Sequence, residues 1–357
     1  MVYSRLCWFS AVLMSVWIWG CQAPEPPVEP NPSPPAILSL DLSEYQALAR
    51  SGFIFRDAEG TPVELLSFCR EKGVDLMRLR LWKEAQNPDH GWDSVGKTIG
   101  EIRGEGMGIW LTVHLSDTWA DPGHQSIPPS WQGLTFEELR DSVSAYFYKI
   151  ASEWQPEVIQ IGNEINSGFL LPYGHRFDHP WQYQQLIAAA THSIRAASPR
   201  AQIMLHFAGL DRIDAWLADT DLEEIDLIGV SLYPQWHGKD LSDWEQKLKQ
   251  AHDLSGLPIW IAETAYPFTL DWGDWTHNLV GEEEQLILPA YPATFEGQAD
   301  FVEEMMRLAS LDESGGLSYW GAAAVPFDGE QGTEGSCCEN TALFDFEGNA
   351  VPAWGMF

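Results

Sequence analysis

Eight short apolar runs, each followed by a segment of helical period, constrain this chain more than any other feature. The strand candidates are Ile37–Leu42, Leu76–Leu81, Ile109–His114, Val158–Ile161, Gln202–His206, Leu227–Tyr233, Pro258–Glu263 and Leu317–Trp320. Several are rich in β-branched residues and have no helical period, as expected of parallel strands covered on both faces. Helix candidates lie between them at Pro62–Lys72, Ser94–Glu105, Phe136–Glu153, Trp181–Ala197, Ser242–His252 and Phe295–Leu308. Strands alternating with helices in this number predict an α/β fold, a single (β/α)8 TIM barrel over residues 36–357. No internal repeat and no second domain is expected. With 45% hydrophobic and 12% aromatic residues, the chain has ample material for one large core.

Two of the strands run into a carboxylate. Val158-Ile159-Gln160-Ile161-Gly162-Asn163-Glu164 is one, and Pro258-Ile259-Trp260-Ile261-Ala262-Glu263 is the other. Catalytic residues of such barrels sit at the C-terminal ends of strands, so the pair suggests a two-carboxylate site for glycoside cleavage. Either glutamate alone could equally pair with an arginine or cap a helix. Other polar residues converge on the same barrel face: Arg78 and Arg80 on the second strand, His114 on the third, Asn163 beside Glu164, Tyr233 on the sixth and Trp320 on the eighth. Arg78 and Arg80 share one face of their strand, because strand side chains alternate. Two arginines pointing into a barrel demand carboxylate partners. A lone His114 could be a satisfied core residue, but Ser116-Asp117 follow it at the strand end. The stretch from Pro267 to Pro292 has little helical pattern, and long loops of this kind after barrel strands usually serve the site.

Charge narrows the partners. The chain carries 20 Lys+Arg against 52 Asp+Glu, a formal net charge of −32. Such a surface repels nucleic acid, anionic lipid and polyanionic polysaccharide, and is indifferent to a neutral substrate. The 18 tryptophans suit the apolar faces of sugar rings, although many must be core residues. The five cysteines, Cys7, Cys21, Cys69, Cys337 and Cys338, include no pair with zinc-ligand spacing. Cys337 and Cys338 are adjacent, where a bridge is strained, so no disulfide framework is inferred.

Residues 1–20 read as a lipoprotein-type export signal, with Arg5 before an apolar run too short to span a membrane with confidence. Ile18-Trp19-Gly20-Cys21 resembles a bacterial lipobox, which makes Cys21 the expected lipidation site; an ordinary secretory signal is the alternative. Residues 21–35 continue as a proline-rich tether. Gln22 after the cysteine favours the outer membrane. The expectation is an exported cell-surface lipoprotein that meets the membrane only through its anchor, or otherwise a secreted protein.

Particular stretches go further. The chain resembles glycoside hydrolase family 53, the endo-β-1,4-galactanases, in the clan of retaining (β/α)8 glycosidases. The similar segments are GVDLMRLRLW (73–82), HLSDTWADPGHQ (114–125), IQIGNEINSG (159–168), IMLHFAG (203–209), IGVSLYPQWHG (228–238), IAETAYPFTL (261–270), YPATFEGQ (291–298) and ENTALFDFEGNAVPA (339–353). The resemblance implies that Glu164 is the acid/base and Glu263 the nucleophile. It implies that Asn163 holds the sugar 2-hydroxyl, that Tyr233 orients the nucleophile, and that Trp320 lies under the reacting sugar. Arg78, Arg80, His114, Asp117, Trp119 and His237, within the same stretches, are the implied supporting or substrate-binding residues. A nucleophile must be ionised, so Arg78 and Tyr233 are expected to hold the pKa of Glu263 down, while Glu164 needs a raised one. The implied substrate is β-1,4-galactan or type I arabinogalactan, the implied state a monomer, and no cofactor is required for catalysis. Bacterial relatives often bind structural calcium after strand seven. Asp271, Asp274, His277 and Asn278 offer ligands there, and an acidic solvated loop is the alternative. The chain departs from the family at Leu115, and at Gly321-Ala322-Ala323-Ala324, where a loop-eight aromatic and a carboxylate are missing. Two other readings remain at this point: a related retaining glycosidase acting on another β-glycan such as mannan, and a non-catalytic glycan-capture lipoprotein.

Overall fold

The computed structural model describes residues 37–357, apart from 313, 330 and 334. The export signal, Cys21 and the proline-rich tether lie outside the described residues. Eight parallel strands close into one barrel: β1 (Ile37–Asp41), β2 (Leu76–Leu81), β3 (Gly108–Val113), β4 (Val158–Ile161), β5 (Gln202–Ala208), β6 (Leu227–Ser231), β7 (Ile259–Thr264) and β8 (Gly316–Tyr319), each paired with its sequence neighbours and β8 with β1. All eight expected strands form, with ends displaced by at most two residues. The six expected helices form as Leu65–Glu71, Trp92–Gly104, Phe136–Trp154, Pro180–Ala197, Leu241–Ser255 and Phe295–Ala309. Three short helices were not anticipated, Tyr45–Ser51, Ile213–Asp219 and Pro234–His237. Each is too brief for its apolar residues to show a period.

The strands are apolar on both sides because each side meets a different layer. Met77, Leu79 and Leu81 of β2 face outward into the core shared with the helices. Leu76, Trp110, Val158, Met204, Leu227 and Trp260 face inward and form a separate buried plug. Trp110 and Trp260 come from opposite sides of the barrel, yet their ring centroids are 5.5 Å apart. The plug is tight at Gly229, where a Cβ would lie 2.7 Å from Met204 Sδ and 3.0 Å from Ala262 Cβ, so any larger residue would require Met204 to shift. Above this apolar layer the barrel interior turns polar, with Arg78, Thr112, Gln160, His206 and Ser231 all buried.

The strand β7 is irregular in a way that matters. Val230 and Ser231 of β6 pair with Ile261 and Glu263, and Leu317 and Tyr319 of β8 pair with Ile261 and Thr264. Against both neighbours β7 therefore carries one extra residue. Such a bulge re-aims side chains. Trp260 and Ala262 face the interior plug, and Glu263, which strict alternation would turn outward, also points into the barrel mouth.

The loop following β7 is lashed to the segment Cys337–Thr341. Leu279 N–H donates to Cys337 O, the Asn340 amide donates to Thr269 O and Val280 O, and Glu339 Oε1 accepts from the Gly273 and Asp274 N–H groups.

Candidate active site

Glu164 leaves the end of β4 through a strained turn. Gly162 has φ 72°, and a Cβ there would lie 2.6 Å from Ile165 Cγ2, so only glycine is accommodated. Glu164 itself has φ 51°, a region unfavourable for a branched or long side chain and typical of strained functional positions. Several bonds hold this turn. Glu164 N–H faces His206 Nδ1 at 3.3 Å, Ile165 N–H donates to His206 O at 2.9 Å, and Gln125 donates to Asn163 O at 2.7 Å.

His206, buried on β5, is the hub. Two donors face its Nδ1, Gln160 Nε2 at 3.0 Å and the Glu164 N–H, against one acceptor, Asn163 Oδ1 at 3.1 Å, and this balance assigns the imidazole proton to Nε2. Burial, with the Arg78 charge nearby, holds its pKa well below the ordinary range, so it stays neutral. Nε2–H donates to Ser231 Oγ at 3.0 Å, and Ser231 donates to Glu164 Oε1 at 2.5 Å. Neither His206 nor Ser231 was anticipated as a site residue. The strand-end position of His206 was a usable signal, but nothing in the sequence distinguishes Ser231 from a core serine.

Glu263 is held differently. Arg78 Nη2 donates to its Oε1 at 2.8 Å and the Tyr233 hydroxyl to its Oε2 at 3.2 Å. Arg78 is fully buried, pairs also with Asp41 at 3.2 Å, and donates to Asn163 Oδ1 at 3.1 Å. Asn163 further accepts from Gln160 and donates to Ala120 O, so its amide is fixed. The second arginine also finds the carboxylate its sequence position demanded: Arg80 meets Glu44 at 2.5 Å. Burial works against the Glu44 charge, but Arg80 and His90 outweigh it and bring its pKa to about 2.

The carboxylates of Glu164 and Glu263 differ in support. Burial and the Glu263 charge push Glu164 up to about 8, opposed chiefly by the Ser231 hydrogen bond. Burial raises Glu263 as well, against the expectation of a lowered value. The barrel mouth removes so much water that Arg78 and Tyr233 only counter the rise. They nonetheless favour the ionised form of Glu263 with a full positive charge, which Glu164 lacks at contact distance. A single proton shared by the pair therefore resides on Glu164.

Aromatic residues frame the carboxylates. The Arg80 guanidinium lies 4.9 Å from the ring centroids of both Trp119 and Trp320, which meet edge to face at 5.3 Å. His114 is buried, and its Nδ1 accepts from Trp82 Nε1 and Ala120 N–H, both at 3.2 Å. Burial and the two arginines hold it neutral, with its proton on Nε2. Two of the expected residues act at one remove. Asp117 accepts from Glu84 N–H at 2.8 Å and ties the loops after β2 and β3 together. His237 Nδ1 accepts from Tyr233 N–H at 3.0 Å and fixes the backbone beneath Tyr233; burial lowers its pKa to about 4.

The four residues expected as calcium ligands divide. The side chains of Asp271 and His277 are exposed, and Asp274 and Asn278 are buried. Asp274 Oδ2, Asn278 Oδ1 and Glu339 Oε2 are buried oxygens with no hydrogen-bond partner among the described residues. Glu339 is brought against this loop by the bond its Oε1 accepts from the Asp274 N–H at 3.2 Å, and burial is the larger cause of its raised pKa. Hard, unpaired oxygens of this kind fit a calcium ion. Asp274, Asn278 and Glu339 would hold it, with Asp271 and His277 no longer contributing side chains.

Comparisons with known proteins agree with this geometry. The sequence profile of glycosyl hydrolase family 53 matches residues 37–357. The chain is 30% identical to an arabinogalactan endo-beta-1,4-galactanase of Cellvibrio japonicus, over 90% of each sequence. It is 26% identical to an endo-beta-1,4-galactanase of Bacillus subtilis, over 90% of this chain and 85% of the relative. The solved family 53 catalytic domain of Ignisphaera aggregans superposes with a TM-score of 0.82 at 31% identity, covering 92% of this chain and 98% of that one. The protein is a glycoside hydrolase and belongs to glycosyl hydrolase family 53.

Proposed function

We propose that the enzyme cleaves internal β-1,4-galactosidic bonds in the (arabino)galactan side chains of pectin, with retention of configuration. The observation that carries this reading is the unequal support of two glutamates at one barrel mouth: Glu263 on a buried arginine, Glu164 on a hydroxyl alone. Glu263 attacks the anomeric carbon while Glu164 gives its proton to the leaving oxygen. A glycosyl ester then replaces the Glu263 charge. The pKa of Glu164 falls, because that charge had been raising it. Glu164 next accepts a proton from water, which releases the sugar. Ser231 keeps the Glu164 carboxyl in one orientation throughout. Trp320 and Trp119 offer faces to the sugar, and the acidic surface favours a neutral glycan over a uronate-rich one.

The substrate follows from the names of the Cellvibrio and Bacillus relatives. A reducing-end assay on β-1,4-galactan, mannan and polygalacturonan tests it. Galactan should be cut far faster than the others, with the β-anomer as first product by proton NMR. Equal cleavage of mannan, or an α-anomer first, overturns the reading. The lipobox-like stretch and the proline-rich tether support a further part of the proposal, that the enzyme acts as a lipid-anchored protein at a bacterial cell surface.

A further inference from the structure

We propose that Cys337 and Cys338 form a thiol-modification site in the wall of the sugar cleft, a vicinal dithiol that closes reversibly to a disulfide and displaces Trp320. The two sulfurs lie 3.5 Å apart, already in contact. Cys338 is buried with Ala324 and Ala342, and the Trp320 ring and Cys337 pack against this cluster. Cys337 is half-buried, so a reagent meets it first.

The surroundings connect the pair to the site. Trp320 lies 5.7 Å from the Arg78 guanidinium, which binds Glu263. On the other side, Cys337 O holds Leu279 N–H at 2.9 Å, and Cys338 O accepts from the Thr341 hydroxyl at 2.8 Å. The pair thus stands between the aromatic platform and the loop after β7. Gly321, the residue after Trp320, is the neighbour on that side: a Cβ there would touch Cys338 Cβ in ordinary contact at 3.5 Å.

Ring closure must alter this geometry. Adjacent Cα atoms are about 3.8 Å apart across a trans peptide, whereas disulfides prefer roughly 4.4–6.8 Å. The linking peptide must therefore distort, which shifts Cys337 O and the Cys338 side chain against Trp320. The same strain makes the bond easy to reduce, as suits a reversible modification. The oxidant is a low-molecular-weight disulfide. The Cys337 thiol gives its proton to water and attacks one of the oxidant's sulfurs, expelling a thiolate that takes a proton from water. The Cys338 sulfur then attacks the mixed disulfide at Cys337, passing its proton to the second departing thiolate. Two electrons and two protons end on the oxidant, which becomes two thiols.

The effect on sugar binding rests on the galactanase reading; closure of the disulfide does not. Full-length protein is incubated with excess glutathione disulfide, then alkylated and mapped by mass spectrometry. The peptide containing Cys337 and Cys338 should be lighter by two hydrogen atoms, refractory to iodoacetamide, and restored by phosphine. The KM for galactan should change by roughly threefold or more on oxidation and return on reduction, the range of a disturbed binding contact. Cys337→Ser and Cys338→Ser should show neither response. Thiols that still alkylate, or a persistent glutathione adduct on Cys337, overturn the site. A disulfide that leaves KM unchanged overturns its placement in the cleft wall. Reduced protein without galactanase activity sinks the substrate reading instead, while the mass map still decides the disulfide.

Discussion

Ser231 Oγ lies 2.5 Å from Glu164 Oε1 and donates to it. Two residues further along the same face, Tyr233 donates to Glu263. The last residue of β6 and a residue just beyond it thus supply one donor to each carboxylate. The Ser231 bond opposes the upward shift of Glu164, so its removal should raise that pKa further. Ser231→Ala should move the basic limb of the kcat/KM profile upward by about one to two pH units, since a hydrogen bond to a charged group is worth roughly 1.5–3 kcal/mol. A pH series on galactan checks this, and a basic limb that stays in place would exclude Ser231 from tuning the acid.

The two glutamates should fail differently. Glu263→Ala should abolish turnover of every substrate. Glu164→Ala should still form the glycosyl-enzyme from an aryl galactobioside with a good leaving group, then stall for want of a base. Azide needs no base and should restore turnover with a β-configured product. General acid–base help is worth about 10²–10⁴-fold, so the contrast is measurable. An α-azide from Glu164→Ala would reverse the roles.

Glu164 should also make stability depend on pH. Its folded pKa is raised to about 8, above that of an unfolded glutamate, so the folded state holds the extra proton between the two values. Stability contributed by this group is therefore present in acid and lost as pH rises toward 8. Glu164→Gln removes the titration. Its melting temperature should exceed that of the wild type at pH 8 by about 2 °C or more, for a gain on the order of 1 kcal/mol, and the difference should vanish near pH 4. Calorimetry across this range decides it; a gap independent of pH rules the linkage out.

Anchoring has a separate test. Cys21→Ala should convert a membrane-associated protein to a soluble exported one. Unchanged fractionation with membranes would remove the lipid anchor from the proposal.

The sequence by itself determined the barrel and its working face. Eight apolar strands of the right length, alternating with helices, leave few other solutions, and Glu164, Glu263 and Tyr233 stand at or just past strand ends, with Arg78 within β2, where a barrel collects polar groups. These are local signals, readable from period and position. The aim and electrostatics of the carboxylates were decided only by the folded chain. Glu263 has the wrong parity to share the interior with Trp260, and it does so because β7 carries a bulge that appears only when β6 and β8 pair with it. Ser231, His206 and Glu339 looked ordinary because their partners lie 25 to 67 residues away in the chain. Burial reversed one expectation: the Arg78 charge beside Glu263 was legible, but the loss of water around both exists only in the folded barrel. Strand position is written in neighbouring residues, whereas hydration and register belong to pairs of strands and exist only once the barrel has closed.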